Sequence, residues 1–253
     1  MIKNLLLAAV LLFLLPVTAF AQNKKTQNTP PSLVLSLEDA IKPGKVEEYI
    51  RATKEWLVQL KSDNVITTFN TFLETDDIIN YLEPIPNLSA IDTSALKKSL
   101  ASFQGTEPGQ QRLSTIYWSK YSVWDRSSQL SYVPADPDTS PAAMPYFTWK
   151  HFQIRPDKES NFIDLAVKCK KIFQKHKIGR GYGVFCNIIG YQRPWYTVIF
   201  PGKDPGELYQ WQKKMEQKLG PELKPLLKEI YEITQQITDG SGWTIKELSL
   251  TNK

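Results

Sequence analysis

Two stretches of the chain carry matching residues at a constant spacing of 113 positions: Ile41 and Ile154, Pro43 and Pro156, Lys45 and Lys158, Tyr49 and Phe162. In each, an apolar run (Leu33 to Ile41, Tyr146 to Ile154) reads as a strand and leads through a Pro-containing turn into an amphipathic helix. The first helix repeats Val46, Tyr49, Ile50, Trp56, Leu57 and Leu60 on one face. The second repeats Phe162, Leu165, Ala166, Cys169, Ile172 and Phe173. Proline near the first helical turn costs nothing, because its missing N–H has no intrahelical partner there. Repetition at this spacing implies that each half builds the same supersecondary unit.

The elements that follow extend the match. Val65 to Leu73 and Ile78 to Leu82 read as paired strands in the first half, and Tyr182 to Ile189 and Trp195 to Phe200 in the second. Helices are expected next. In the first half these are Ala95 to Phe103 and a run with Leu113, Ile116, Tyr117, Tyr121 and Trp124. In the second, a capping box at Asp204-Pro205-Gly206-Glu207 starts a helix with Leu208, Trp211, Met215 and Leu219 inward. Gly220-Pro221 is expected to stop it and start another, with Leu223, Leu226, Leu227, Ile230, Ile233 and Ile237 inward. Short closing strands are expected at Leu130 to Val133 and, after a turn at Asp239 to Gly242, at Trp243 to Leu250.

The fold class is therefore α+β: two tandem ferredoxin-like repeats, each β-α-β-β-α-α-β, with antiparallel sheets and helices on one face. The uncovered sheet faces are apolar enough to need cover, which a barrel closed within the chain or between chains would give. The expected organisation is a signal peptide (1–21), a flexible lead (22–31), the first repeat (32–134), a Pro-rich linker (135–145) and the second repeat (146–253).

A strand, an Ile-x-Pro-Gly-Lys turn at Ile41 to Lys45, an amphipathic helix and two paired strands resemble the dimeric α+β barrel superfamily, which includes antibiotic biosynthesis monooxygenase-like and NIPSNAP-like domains. The resemblance covers both halves and rests on layout and one short motif. It implies a fold and a space between sheet faces, and carries no activity across, because catalytic residues differ between members.

Residues 1–21 have Lys3, an apolar Leu5 to Leu15 too short to span a bilayer, and Ala19-Phe20-Ala21, an A-x-A cleavage site. Export to the periplasm or outside the cell is expected, with no membrane span after cleavage. The balance of 31 basic and 26 acidic residues gives +5, but the lysines are scattered among acids. Nucleic acid is not an expected partner, since that needs a focused basic surface. The densest run, Lys168 to Arg180, spreads around a helix.

Several residues are candidates for chemistry. His151 alternates with Phe147, Trp149 and Gln153 along its strand, and its counterpart at the repeat spacing is Glu38. Across a barrel interior the two would form a general acid–base pair; alternatively His151 is half-buried and Glu38 exposed. Leu33, Leu35 and Leu37 suggest the opposite facing for the first half. Asn70 and Asn187 lie in strands, where asparagine is depleted. They would meet either a ligand or a cross-strand partner. Trp149, Trp195, Tyr182 and Tyr196 are candidates for an aromatic pocket or for core. Gly179 to Gly183 follows a helix and precedes a strand, so it reads as a helix C-cap rather than a phosphate cradle, although Arg180 would attract an anion. His176 ends a helix, where a cation suits the dipole. Cys169 and Cys186 are a candidate disulfide or two buried thiols.

No zinc, Walker or nucleophile-elbow motif is present, and no metal or cofactor is expected. The expected partner is a small apolar or aromatic ligand, bound by a monomer or homodimer. The leading functional expectation is a non-enzymatic small-molecule-binding or interaction protein with its site between the sheets, built from Glu38, Asn70, Trp149, His151, Tyr182 and Asn187. The alternative, drawn from the resemblance, is a cofactor-independent monooxygenase-like enzyme acting on an apolar aromatic substrate.

Overall fold

The computed structural model describes residues 32–65, 67–135 and 143–250. The expected signal peptide (1–21), the expected lead (22–31) and most of the expected linker (135–145) lie outside them. Eight strands close a barrel: β1 (Leu33–Ile41), β2 (Asn70–Glu74), β3 (Ile78–Ile85), β4 (Ile116–Arg126), β5 (Tyr146–Ile154), β6 (Gly183–Ile189), β7 (Trp195–Gly202) and β8 (Thr234–Thr244). Their order around the barrel is β1-β3-β2-β8-β5-β7-β6-β4, antiparallel at every junction. Each half supplies four neighbouring strands. The two sheets join at short seams, β2 with β8 from Phe72–Thr244 to Glu74–Gly242, and β4 with β6 from Val123–Ile189 to Arg126–Phe185.

Among the described residues five α-helices lie outside the barrel: α1 (Val46–Ser62), α2 (Ala95–Phe103), α3 (Glu107–Ser114), α4 (Glu159–Lys175) and α5 (Pro205–Glu232). In α1, Tyr49, Ala52, Thr53, Trp56, Leu57 and Leu60 are buried at three- and four-residue spacing, and Glu47 and Glu48 sit at the positive end of the helix dipole. This face packs on Leu37, Ile41, Phe69, Ile79 and Tyr81 of the first sheet. In the second half, Phe162, Leu165 and Phe173 of α4 and Leu219 and Ile230 of α5 pack on Phe152, Ile154, Val184 and Tyr196. No described helix is long and apolar enough to cross a membrane.

The Asp204 side chain accepts from the Glu207 N–H at 2.8 Å, and Glu207 in return accepts from the Lys203 N–H at 3.1 Å. The Asp204 cap therefore starts α5 where the sequence places it, although Glu207 reaches the N–H of the residue before the cap rather than that of Asp204 itself. Four expectations give way to the structure. Gly220-Pro221 does not stop α5, which runs through Pro221 and Pro225 to Glu232. Proline removes one backbone bond, but the apolar stripe of Leu219, Leu223, Leu226, Leu227 and Ile230 stays packed on the second core across it. Ile116 to Trp124 is strand β4, not helix. The stretch from Thr234 is strand β8, with no turn at Asp239 to Gly242. The expected closing strands reduce to single bridges, Tyr132 with Tyr182 and Leu250 with Phe69.

The glycines that suggested a turn in β8 serve the barrel interior instead. A Cβ on Gly240 would come within 2.5 Å of the Trp149 ring, and one on Gly242 within 2.8 Å of the Phe147 ring. The bare backbone of β8 lets these two rings of β5 pack close against it.

Candidate functional site

Strand side chains alternate between faces. In β1 the odd-numbered residues Leu37, Asp39 and Ile41 meet α1 and α3, so Ser36 and Glu38 point into the barrel. In β5, Phe152 and Ile154 meet α4 and α5, so Trp149, His151 and Gln153 point inward. Glu38 and His151 therefore share one chamber. Leu37, which suggested otherwise, lies in the apolar layer under α1, and Leu35 packs with Ile85 and Val123.

Glu38 is 8% exposed. It accepts from the Tyr191 hydroxyl at 2.8 and 3.1 Å and from Ser122 Oγ at 3.2 Å, and Lys120 Nζ stands 3.7 Å away. His151 Nδ1 shares a hydrogen with Thr197 Oγ1 at 2.5 Å. Its ring is 4.2 Å from that of Trp149, 5.9 Å from that of Trp195 and 6.1 Å from that of Trp124, the last stacked at 15°. The carboxylate and the imidazole are linked through intermediaries rather than paired. Trp124 Nε1 donates to Ser122 Oγ at 2.8 Å, Ser122 contacts Glu38, and the Trp124 ring stacks on His151.

A second acid belongs to the chamber. Glu74 of β2 accepts from Asn80 Nδ2 at 2.7 Å, and Ser36 Oγ donates to Asn80 Oδ1 at 3.4 Å. Burial, with the charges of Glu38 and Asp76, raises the Glu74 pKa to about 8. Burial, with the charge of Lys120, lowers the His151 pKa to about 4. Burial likewise lowers Lys120, against the pull of Glu38. Near neutral pH the chamber thus holds an uncharged imidazole and a largely protonated carboxylic acid.

Architecturally this chain has company. No family model and no curated protein matches it. Among solved structures it is similar to an anthrone oxidase-like protein, at 10% identity over 84% of this chain and 90% of that one, with a TM-score of 0.56. It is similar to a proposed monooxygenase from Lactobacillus acidophilus (11% identity, 84% and 94% covered, TM-score 0.51). Chlorite dismutase from Candidatus Nitrospira defluvii, solved in complex with imidazole, is a third (9% identity, 86% and 92% covered, TM-score 0.54). What they share with it is the fold, an α+β arrangement whose antiparallel eight-stranded barrel here closes within one chain. At these identities the likeness is one of fold alone.

The other candidates fall outside the chamber or at its margin. Asn70 begins β2 and is exposed. Tyr182 lies on the helix side, packed against Phe173, Tyr132 and Phe200. Tyr196 is also on that side, 4.5 Å from Phe162. Asn187 is fully buried with its amide engaged: it donates to the Val123 and Ile189 carbonyls and accepts from the Tyr191 N–H. It is the cross-strand pin that the sequence offered as the alternative to a ligand contact. Arg180 pairs with Glu207 and lies 4.9 Å over Trp211, so its charge is answered within the chain. His176 caps α4 and contacts Glu222 at 2.6 Å. Cys169 and Cys186 are free thiols.

Sequence reasoning missed Glu74, Lys120, Ser122, Trp124 and Tyr191. Lys120, Ser122 and Trp124 sit on β4, whose alternation Trp118-x-Lys120-x-Ser122-x-Trp124 was available as the signal. Tyr191 is in a loop, where no periodicity marks it.

Proposed function

We propose that this protein is exported and binds a small planar aromatic molecule inside the barrel. The observation that supports this best is the contrast between the two faces of the sheets. The helix side carries an aliphatic and aromatic core, and the ion pair buried in its first half, Arg112 with Asp39, is answered within the chain. The inner face gathers Trp124, Trp149, Trp195, Tyr191 and His151 around two carboxyl groups and Lys120. A space that only needed filling is served best by branched apolar side chains, since each buried charge carries a desolvation cost. Apolar walls with a few convergent polar groups and shifted titrations are the usual make-up of a ligand site.

The test is a thermal-shift and tryptophan-fluorescence screen of one- and two-ring aromatics against the wild type, His151→Leu and Glu38→Gln. Saturable binding weakened by either substitution is expected. Binding that both variants retain unchanged would place the ligand elsewhere.

One observation favours a second reading. His151 and Glu74 are pushed to opposite sides of their ordinary values, as a base and an acid for proton transfer would be. A cofactor-independent monooxygenase-like enzyme acting on an aromatic substrate would use such a pair. Oxygen uptake driven by an aromatic compound, lost in His151→Leu while binding persists, would support it. Binding without turnover leaves the first reading.

A further inference from the structure

Part of the chain itself already fills the chamber. Tyr191 belongs to the loop of residues 190–194 that joins β6 to β7, yet its ring lies among interior side chains. It is 5.2 Å from Trp124 and 5.6 Å from Trp195, nearly parallel to the latter at 29°. Lys120 Nζ stands 3.0 Å from its centroid, a cation–π contact. Its hydroxyl meets both oxygens of Glu38. Every feature of a phenol is thereby recognised: a near-parallel wall in Trp195, a second ring in Trp124 tilted at 53°, a cation on the ring and a carboxylate for the hydroxyl proton.

The loop enters where the barrel wall is thin. β6 ends at Ile189, opposite Val123, so residues 116–122 of β4 have no strand partner on that side among the described pairings. Gly190 presses into this gap. It has φ +106°, and a Cβ there would come 2.7 Å from Ser122 Cβ and 2.8 Å from the Tyr121 carbonyl. Only glycine permits both the conformation and the approach. The backbone of Tyr191 is held by one hydrogen bond, to Asn187 at 3.1 Å. Beyond it, Gln192 and Arg193 are exposed.

The cage also holds an unanswered donor. Trp195 is 9% exposed, and its indole N–H, shut off from solvent, has no hydrogen-bond partner. Buried donors are rarely left so, and a bound molecule with an acceptor would answer it.

We propose that Tyr191 is a built-in stand-in for the ligand: it swings out with its loop and is replaced by a hydroxylated aromatic whose ring stacks on Trp195 and packs against Trp124 and whose hydroxyl donates to Glu38. This rests on the reading of the chamber as a ligand site.

Tyr191→Ala tests it, with p-cresol as the severed side chain and toluene as the same ring without the hydroxyl. Both are titrated by calorimetry against the wild type and the variant, once circular dichroism shows that the variant is folded. The expected result is p-cresol binding at least about tenfold tighter to Tyr191→Ala than to the wild type, with toluene at least about tenfold weaker than p-cresol. If the alanine variant fails to fold, Tyr191→Phe, whose plug lacks the bond to Glu38, should still bind p-cresol several-fold tighter than the wild type. Equal p-cresol affinity in wild type and variant would overturn the plug. Equal affinity for toluene and p-cresol would overturn hydroxyl recognition and leave the chamber as a site. No binding of either probe to any folded variant, while the aromatic screen finds a ligand sensitive to His151, would overturn this inference and spare the proposed function.

Discussion

Asp39 and Phe152 hold equivalent places in β1 and β5, each facing the helix that follows, and Tyr49 and Phe162 answer them from α1 and α4. In the first half the spot is polar and fully buried. Arg112 of α3 pairs with Asp39, both 1% exposed. Asp39 also accepts from Tyr49 at 2.6 Å and from Ser119 at 2.5 Å, and Tyr49 meets Tyr81 at 2.8 Å. In the second half the same spot is aromatic: Phe152 and Phe162 lie 6.1 Å apart, and Tyr196 lies 4.5 Å from Phe162. The Tyr196 hydroxyl there donates to Glu159 at 2.8 Å. One architecture thus accepts either an ion pair or a ring cluster under its sheet. The network around the ion pair ties five elements together, β1, α1, β3, α3 and β4, with Arg112 arriving on α3, a short helix that the continuous α5 of the second half replaces.

The comparison is broken most sharply by Arg112→Ala. It leaves Asp39 buried with no cation and should cost about 3–5 kcal/mol in urea denaturation. A loss under 1 kcal/mol would mean that the network is not buried as described.

A second difference lies inside the barrel, where the first half contributes the acids and the second the imidazole. Glu74, raised from 4.5 to about 8, contributes stability fully below pH 4.5 and loses it as pH rises through 8. His151, lowered from 6.5 to about 4, contributes stability above pH 6.5 and loses it as pH falls through 4. Glu74→Gln should therefore remove the fall in stability between pH 4.5 and about 8, by roughly 2 kcal/mol after allowance for partial exposure, and leave the profile below pH 4.5 unchanged. An unchanged slope between pH 4.5 and 8 would count against a buried, protonated Glu74.

The smallest effect is expected from the triple change Asp39→Phe, Tyr49→Phe and Arg112→Met, which gives the first half the chemistry of the second. Replacing a whole buried ion pair by apolar groups is often neutral or stabilising. Its unfolding free energy should stay within about 2 kcal/mol of the wild type. A loss as large as that of Arg112→Ala would mean that the first half needs its network for more than packing.

The two halves also differ in how plainly the sequence shows them. β1, α1, β5 and α4 are legible, because apolar periodicity and the Pro-containing turn recur at one spacing. The placing of Glu38 and His151 on one face follows from that same spacing. β4 is harder. Leu113, Ile116, Tyr117, Tyr121 and Trp124 fit a helical stripe, while Trp118, Lys120, Ser122 and Trp124 fit a strand. The β-branched and aromatic content of Ile116 to Trp124 decides for strand only once a barrel seam is there to receive it. β8 is hidden by Gly240 and Gly242, which resemble a turn until the rings of Trp149 and Phe147 are seen lying on them. Glu74 and Tyr191 owe their roles to contacts made by chain closure, which no local pattern announces.

The most direct test of the account is native mass spectrometry of the protein as purified from cells, compared with a denatured sample, for the wild type and for Glu38→Gln. The account predicts a small aromatic mass that is released on denaturation and reduced in the variant. An aromatic mass carried equally by both would contradict the barrel interior as its site, as would a bare chain that gains no adduct from any aromatic in the screen.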